Sequence, residues 1–177
     1  MKIVFSLLIN LILFQSLTAQ QLQLKDAESE ISFTISNFGI AAKGTLKGLT
    51  GSISWMPQQP AQSNIEASVQ TATINTGITA RDNHLKKASY FDIATYSTIS
   101  IISTTIKLEK NNYSFEGTVT IKGKAQKISF PFTVQKTDKG FLFEGSFEIN
   151  RRDFNIGGNS LSLADKVRVN LKVVGSG

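Results

Sequence analysis

The chain has 177 residues, 41% of them hydrophobic and 18% charged, with three prolines, thirteen glycines, one histidine and no cysteine. That length suits one globular domain, and the apolar share is too high for a disordered chain. Without cysteine there is no disulfide framework, thiolate nucleophile, iron–sulfur cluster or cysteine zinc site. With only His84 besides, no metal or cofactor is expected. The formal charge is +6, but lysines such as Lys43, Lys47, Lys110, Lys122, Lys124 and Lys139 are scattered near turns and form no basic block. That pattern blunts strand edges and keeps a sheet protein soluble.

Residues 1–20 read as a leader. Lys2 precedes an apolar run from Ile3 to Phe14, and Ser16-Leu17-Thr18-Ala19-Gln20 follows. This is the order of a secretory signal peptide, too short for a membrane span, with cleavage near Ala19. No cysteine follows the run, so a lipoprotein is excluded. The mature domain, residues 21–177, is expected to be periplasmic or secreted.

From Ile31 onward the dominant signal is alternation. Ile31/Phe33/Ile35, Ile53/Trp55 and Ile65/Ala67/Val69 place apolar residues on one face of successive strands. Gly48-Leu49-Thr50-Gly51 reads as a hairpin turn. The stretch Ile78 to Ser89 lacks alternation, carries Ile78, Arg81, Leu85 and Ser89 at helical spacing, and offers Thr79 with Asp82 as a capping pair. Alternation then returns in Phe115/Gly117/Val119/Ile121, Ile128/Phe130/Phe132/Val134, Phe141/Phe143/Gly145/Phe147/Ile149 and Val167/Val169/Leu171/Val173. Short turns at Lys110-Asn111-Asn112, Lys122-Gly123-Lys124 and Thr137-Asp138-Lys139-Gly140 separate them, and an irregular stretch runs from about Asn150 to Asp165. The fold class is therefore all-β, an antiparallel meander of about eight strands with one short helix, closed as a barrel or stacked as a sandwich.

A barrel of this size either fills its interior with side chains or holds one small ligand. Its phenylalanines, ten once Phe5 and Phe14 go with the leader, suit an elongated hydrophobic ligand and suit plain core packing equally well. A transmembrane barrel is disfavoured, because the phenylalanines sit mid-strand, the chain ends without an aromatic and a helix interrupts the strands. An enzyme using Asp82 and His84 is the rival class. Two residues apart on a helix they face different ways, and no serine elbow, paired carboxylates or phosphate loop accompanies them, so no catalytic residue is assigned. No nucleic-acid partner is expected either, since the aromatics lie on the buried face and the lysines at turns.

The stretch Thr76-Gly77-Ile78-Thr79-Ala80-Arg81-Asp82-Asn83-His84-Leu85, continuing to Tyr90-Phe91-Asp92, resembles the signature of the YceI-like family of lipid or polyisoprenoid-binding proteins. Ile31-Ser32-Phe33 with Gly44 and Gly51, Gly117 to Lys124, and Asn150-Arg151-Arg152-Asp153-Phe154 resemble that family's opening hairpin, central hairpin and closing element. The match covers about residues 22–174. It departs at Tyr96-Ser97, where the family usually has an aromatic and proline, at Ile101 in place of an aromatic, and at Asn155 in place of glycine. The resemblance implies an extended, lipocalin-like antiparallel β-barrel enclosing an apolar tunnel, and a non-catalytic carrier of a long-chain lipid or isoprenoid. By that resemblance Phe33, Ile35, Phe38, Ile53, Trp55, Phe115, Val119, Phe141, Phe143 and Phe147 would line the tunnel. Arg81, Asp82 and His84 would lie at one end, contacting a head group or pinning the helix to the barrel, with His84 donating to a carbonyl. No stable membrane insertion is expected. Oligomeric state is open, a homodimer being the commonest choice among soluble oligomers.

Overall fold

Alternation along the chain becomes nine strands in a computed structural model that describes residues 18–177. The expected leader falls almost wholly on residues 1–17, outside the described residues. The strands are β1 (Gln20–Leu24), β2 (Glu30–Asn37), β3 (Ile40–Trp55), β4 (Asn64–Asn75), β5 (Thr98–Glu109), β6 (Asn112–Ile121), β7 (Lys124–Thr137), β8 (Gly140–Asn150) and β9 (Leu163–Ser176). One helix, α1 (Thr79–Leu85), lies between β4 and β5.

The order β3-β2-β9-β8-β7-β6-β5-β4 closes on itself because β3 also pairs with β4. Every pairing is antiparallel. β1 continues β2 between the same neighbours, β3 and β9, across a 3-10 turn at Asp26–Glu28. The wall is therefore eight strands around, a lipocalin-like antiparallel barrel with one helix. At the kink, Ser29 Oγ donates to Lys25 O (2.7 Å) and accepts from Val174 N (3.0 Å), while Asp26 Oδ1 accepts from Leu49 N (2.8 Å). These side chains replace the ladder bonds that the turn interrupts.

Inward positions are apolar and outward ones polar. On β7, Phe130 and Phe132 are buried while Ser129 and Thr133 are exposed. This is the reverse of a barrel that meets lipid with its outer face. Three expectations change in detail. Gly48 to Gly51 is no hairpin turn but an irregular passage inside β3, where the register with β4 shifts between Thr45 and Thr50. The turn falls instead at Phe38-Gly39, both with positive φ (50° and 77°), so Phe38 sits on a hairpin tip outside the barrel and not in a tunnel. The helix is also shorter than Ile78–Ser89. It begins with Ile78 as an extended N-cap without a side-chain cap, so Thr79 and Asp82 do not form the expected capping pair, and Asp82 bonds back to Thr76 instead.

The two ends of the barrel differ. At the end carrying the 56–63, 110–111 and 138–139 connections, Trp55 packs edge-on against Tyr113 (4.8 Å) and Phe143 (5.3 Å). Deeper in, Phe115, Phe130 and Phe147 form a stack with centroids 4.8 and 4.9 Å apart. Gly117 and Gly145 make room for it, since a Cβ at Gly117 would come within 2.7 Å of the Phe115 ring and one at Gly145 within 3.0 Å of the Phe130 ring. Large rings meeting in offset and edge-on geometry leave no through-tunnel. The opposite end carries the Phe38-Gly39 turn, the 76–97 segment, the Lys122-Gly123 turn and the 151–162 loop. There the interior is not filled.

Candidate functional site

A single apolar cavity of about 200 Å³ occupies this second end. A cavity of about 10–15 Å³ is enough to hold one water, so this space is many times larger than a single-water site and takes a segment of hydrocarbon chain. Its wall is aliphatic: Leu46 and Leu49 on β3, Val69 on β4, Ile99 and Ile101 on β5, Val119 and Ile121 on β6, and Val167, Val169 and Leu171 on β9. Phe147, the last ring of the stack, lines it too. Phe33 lies across Gly44, its register partner. A Cβ at Gly44 would meet the Phe33 ring at 2.4 Å and Thr76 Cγ2 at 3.0 Å, so glycine is what allows this ring to lie against the wall.

Thr76 and Arg81 are among the polar residues that line the cavity, with Ser32, Asn37, Ser68, Ser100 and Arg151. Arg81 Nε donates to Thr76 Oγ1 (2.8 Å) and its Nη2 to Thr76 O (2.9 Å). The Thr76 hydroxyl donates a hydrogen bond to Asp82 Oδ1, which also accepts from Thr76 N (2.9 Å). Chiefly this hydroxyl, and also the Thr76 N–H and the charge of Arg81, hold the Asp82 carboxyl below its ordinary range against a partial desolvation. Arg81 and Asp82 thus meet through Thr76 instead of pairing directly. His84 makes no carbonyl contact of the kind expected of it; its exposed ring packs edge-on against Tyr90 at 4.7 Å.

Arg151 also touches the cavity and is 1% exposed. It donates to Ala164 O, Ile156 O, Gly158 O and Leu163 O, and to Asp165 Oδ1 at 2.9 Å. A buried guanidinium with partners on every nitrogen fixes the 151–162 loop and leaves no uncompensated charge. Lys122 Nζ donates to Ala88 O (2.6 Å) and Asn155 O (3.2 Å), and Gly157 N donates to Ser89 O (2.8 Å). The 86–97 segment and the loop are thereby tied together over part of the barrel end. Asn37 and Ala42, on either side of the Phe38-Gly39 turn, line the cavity, and Ile40 between them is exposed, so the cavity reaches the surface beside this hairpin.

Of the residues expected to line a tunnel, Phe33, Ile35, Val119 and Phe147 line this cavity. Ile53, Trp55, Phe115 and Phe143 belong to the packed end, and Phe141 packs against it. Arg81 lies on the cavity, whereas Asp82 and His84 do not. The rings of the packed end fill space instead of lining it because Trp55 meets Tyr113 and Phe143 across the barrel, while Phe115, Phe130 and Phe147 stack side by side on neighbouring strands. Sequence reasoning gave no role to Leu46 or Ile99, read Leu49 as part of a turn and read Val69 only as a strand-face residue; the register shifts in β3 and β5 hide the alternation there. It also assigned nothing to Thr76 or Arg151. Both stood in quoted motifs, Thr76 opening one and Arg151 in Asn150-Arg151-Arg152-Asp153-Phe154, and that was the available signal.

A closed antiparallel barrel with an apolar cavity open at one end and packed at the other defines a lipocalin-like barrel. The YceI-like domain matches residues 22–175, and the chain belongs to that family. It is 29% identical over 132 residues to a UPF0312 protein of Photorhabdus laumondii, covering 71% of this chain and 69% of that one. It is 26% identical over 133 residues to protein YceI of Escherichia coli, covering 71% and 70%. Among solved structures, BcnA of Burkholderia cenocepacia superposes with a TM-score of 0.81 at 24% identity, covering 85% of this chain and 98% of that one. A domain of Saccharophagus degradans described as polyisoprenoid-binding gives 0.69 at 15% identity, covering 88% and 97%. At these identities the likeness speaks for the fold.

Proposed function

We propose that this protein is an exported, non-catalytic binder of one long-chain hydrophobic molecule, a polyisoprenoid or fatty-acid-like lipid, held in the cavity above the Phe115–Phe130–Phe147 stack. The carrying observation is an apolar space with an aliphatic wall at the mouth end of a barrel whose other end is densely packed. Burial of each methylene is worth about 0.8 kcal/mol, so a chain of ten or more carbons offsets an association cost of about 4–15 kcal/mol over much of that range. Phe33, Ile35, Val119 and Phe147 would contact the chain. Arg81, whose Nη1 has no protein partner among the described residues, would meet a polar or anionic head group. Asp82 is engaged by Thr76 and His84 by Tyr90, which supports a scaffold part for both and a site without chemistry. The polyisoprenoid description of the Saccharophagus degradans domain supports the ligand class, and the leader supports a periplasmic or secreted setting.

Organic extraction of protein purified from its native compartment should yield a stoichiometric lipid by mass spectrometry. Ala42 lines the cavity near its opening. Ala42→Trp should abolish uptake of a fluorescent fatty-acid probe without lowering the melting temperature, because the new ring enters open space. Lipid-free preparations together with equal probe uptake by wild type and variant would sink the reading.

A further inference from the structure

We infer that the mouth end of the barrel docks on an anionic bilayer surface, with Phe38, Ile40 and Leu161 entering its apolar layer. The inference rests on the binding proposed above, since a water-insoluble ligand has to pass between a membrane and the cavity, and it goes beyond it by naming the surface that makes the contact.

The first observation is continuity. Ile35 pairs with Ala42 and Asn37 with Ile40, so Ile40 stands above Ala42 on the inner face. β4 ends at Asn75, opposite Thr45, and Ile40 beyond it is 75% exposed. Asn37 also pairs with Leu163, which lines the cavity, and Leu161 two residues on is fully exposed. Phe38 N donates to Ser162 O at 2.8 Å, placing the hairpin tip beside Leu161, and Phe38 is 80% exposed. The apolar lining continues over the lip into solvent. Single exposed apolar residues need no explanation, but a contiguous group at a cavity mouth marks a contact surface.

The second observation is local conflict. A two-residue turn with positive φ at both positions favours Asn-Gly, and a bulky side chain there is an outlier. Phe38 at φ 50° gives up turn stability while burying nothing in the barrel. The third is charge. Segments 37–43, 76–97, 122–123 and 151–165, which frame this end, carry Lys43, Arg81, Lys86, Lys87, Lys122, Arg151 and Arg152 against Asp82, Asp92, Asp153 and Asp165, a net positive charge, and Asp165 is paired with Arg151 and Arg152. Apolar side chains among net positive charge match the interface of a bilayer containing anionic lipid.

The test is flotation of the purified protein with vesicles of phosphatidylglycerol and phosphatidylcholine in equal parts, beside phosphatidylcholine alone. Wild type should float with the mixed vesicles and less with the neutral ones. Phe38→Asn combined with Leu161→Ser should reduce the bound fraction at least about tenfold, since two apolar anchors are lost. Unchanged emission from buried Trp55, at the far end, verifies that the variant is folded. Equal flotation of variant and wild type, or none by wild type, overturns the inference. So does a wild-type dimer that becomes monomeric in the variant with no vesicle binding, which would make the lip an interface between copies. Uptake of a soluble fatty-acid probe below its micellar concentration is measured in parallel. Probe uptake without flotation leaves the ligand reading and removes the docking surface; flotation without uptake does the opposite.

Discussion

Thr76 serves as donor and acceptor at once, its hydroxyl accepting a hydrogen bond from Arg81 Nε and donating one to Asp82 Oδ1. A short hydroxyl side chain is suited to this because it carries one donor and two lone pairs and loses little rotamer freedom. The folded Asp82 carboxyl is more acidic than its ordinary value of 3.8. Its stabilisation is therefore fully present above that unfolded value and is lost as pH falls through the lower, folded one. Asp82→Asn should melt below wild type near neutrality, and the difference should close in acid once the pH falls below the folded carboxyl's lowered value, as thermal denaturation across pH would register. A gap independent of pH would mean that shape and not charge holds the helix. Arg151 is the second residue-scale device, and no periodicity argument reaches it, because its partners are loop carbonyls brought together only on folding.

At the scale of the element, bulges decide what alternation could reveal. β5 pairs with β6 regularly through Ser103 and then shifts register before Thr105. Ile99 and Ile101 face inward on odd positions, and Ile106, wholly buried, does so on an even one. A period-two reading breaks across such a shift. β3 behaves alike, with Leu46 and Leu49 both buried across the irregular passage. Gly51 there has φ 129°, and a Cβ would fall 2.2 Å from Glu66 O. Gly51→Ala should cost about 3 kcal/mol or more through backbone strain and displacement of β4, read as a lower urea midpoint at unchanged slope. The short turns at 110–111, 122–123 and 138–139 were legible, because their residue types match what such turns require.

For the whole molecule, the consequential division is between the filled end and the open end. Phe147 belongs to both: it is stacked on Phe130 and lines the cavity floor. Phe147→Ala should cost about 3–5 kcal/mol by denaturant titration and deepen the cavity. In the proposed function it should also shift preference toward longer chains in a series of fluorescent fatty acids. Unchanged preference with the expected loss of stability would place the bound chain away from this floor.

The amino-acid sequence by itself determined the strands with clean alternation, most of the tight turns, the single helix and the all-β class, since each is written in neighbours two to four residues apart. It could not divide the inward residues between packing and lining. Phe115 and Phe33 alternate in the same way, yet Phe115 stacks on its register partner Phe130 while Phe33 lies on Gly44 beside open space. That difference depends on which residues strand register sets side by side and, for Trp55 against Tyr113 and Phe143, on which side chains closure brings face to face, and both belong to the tertiary structure.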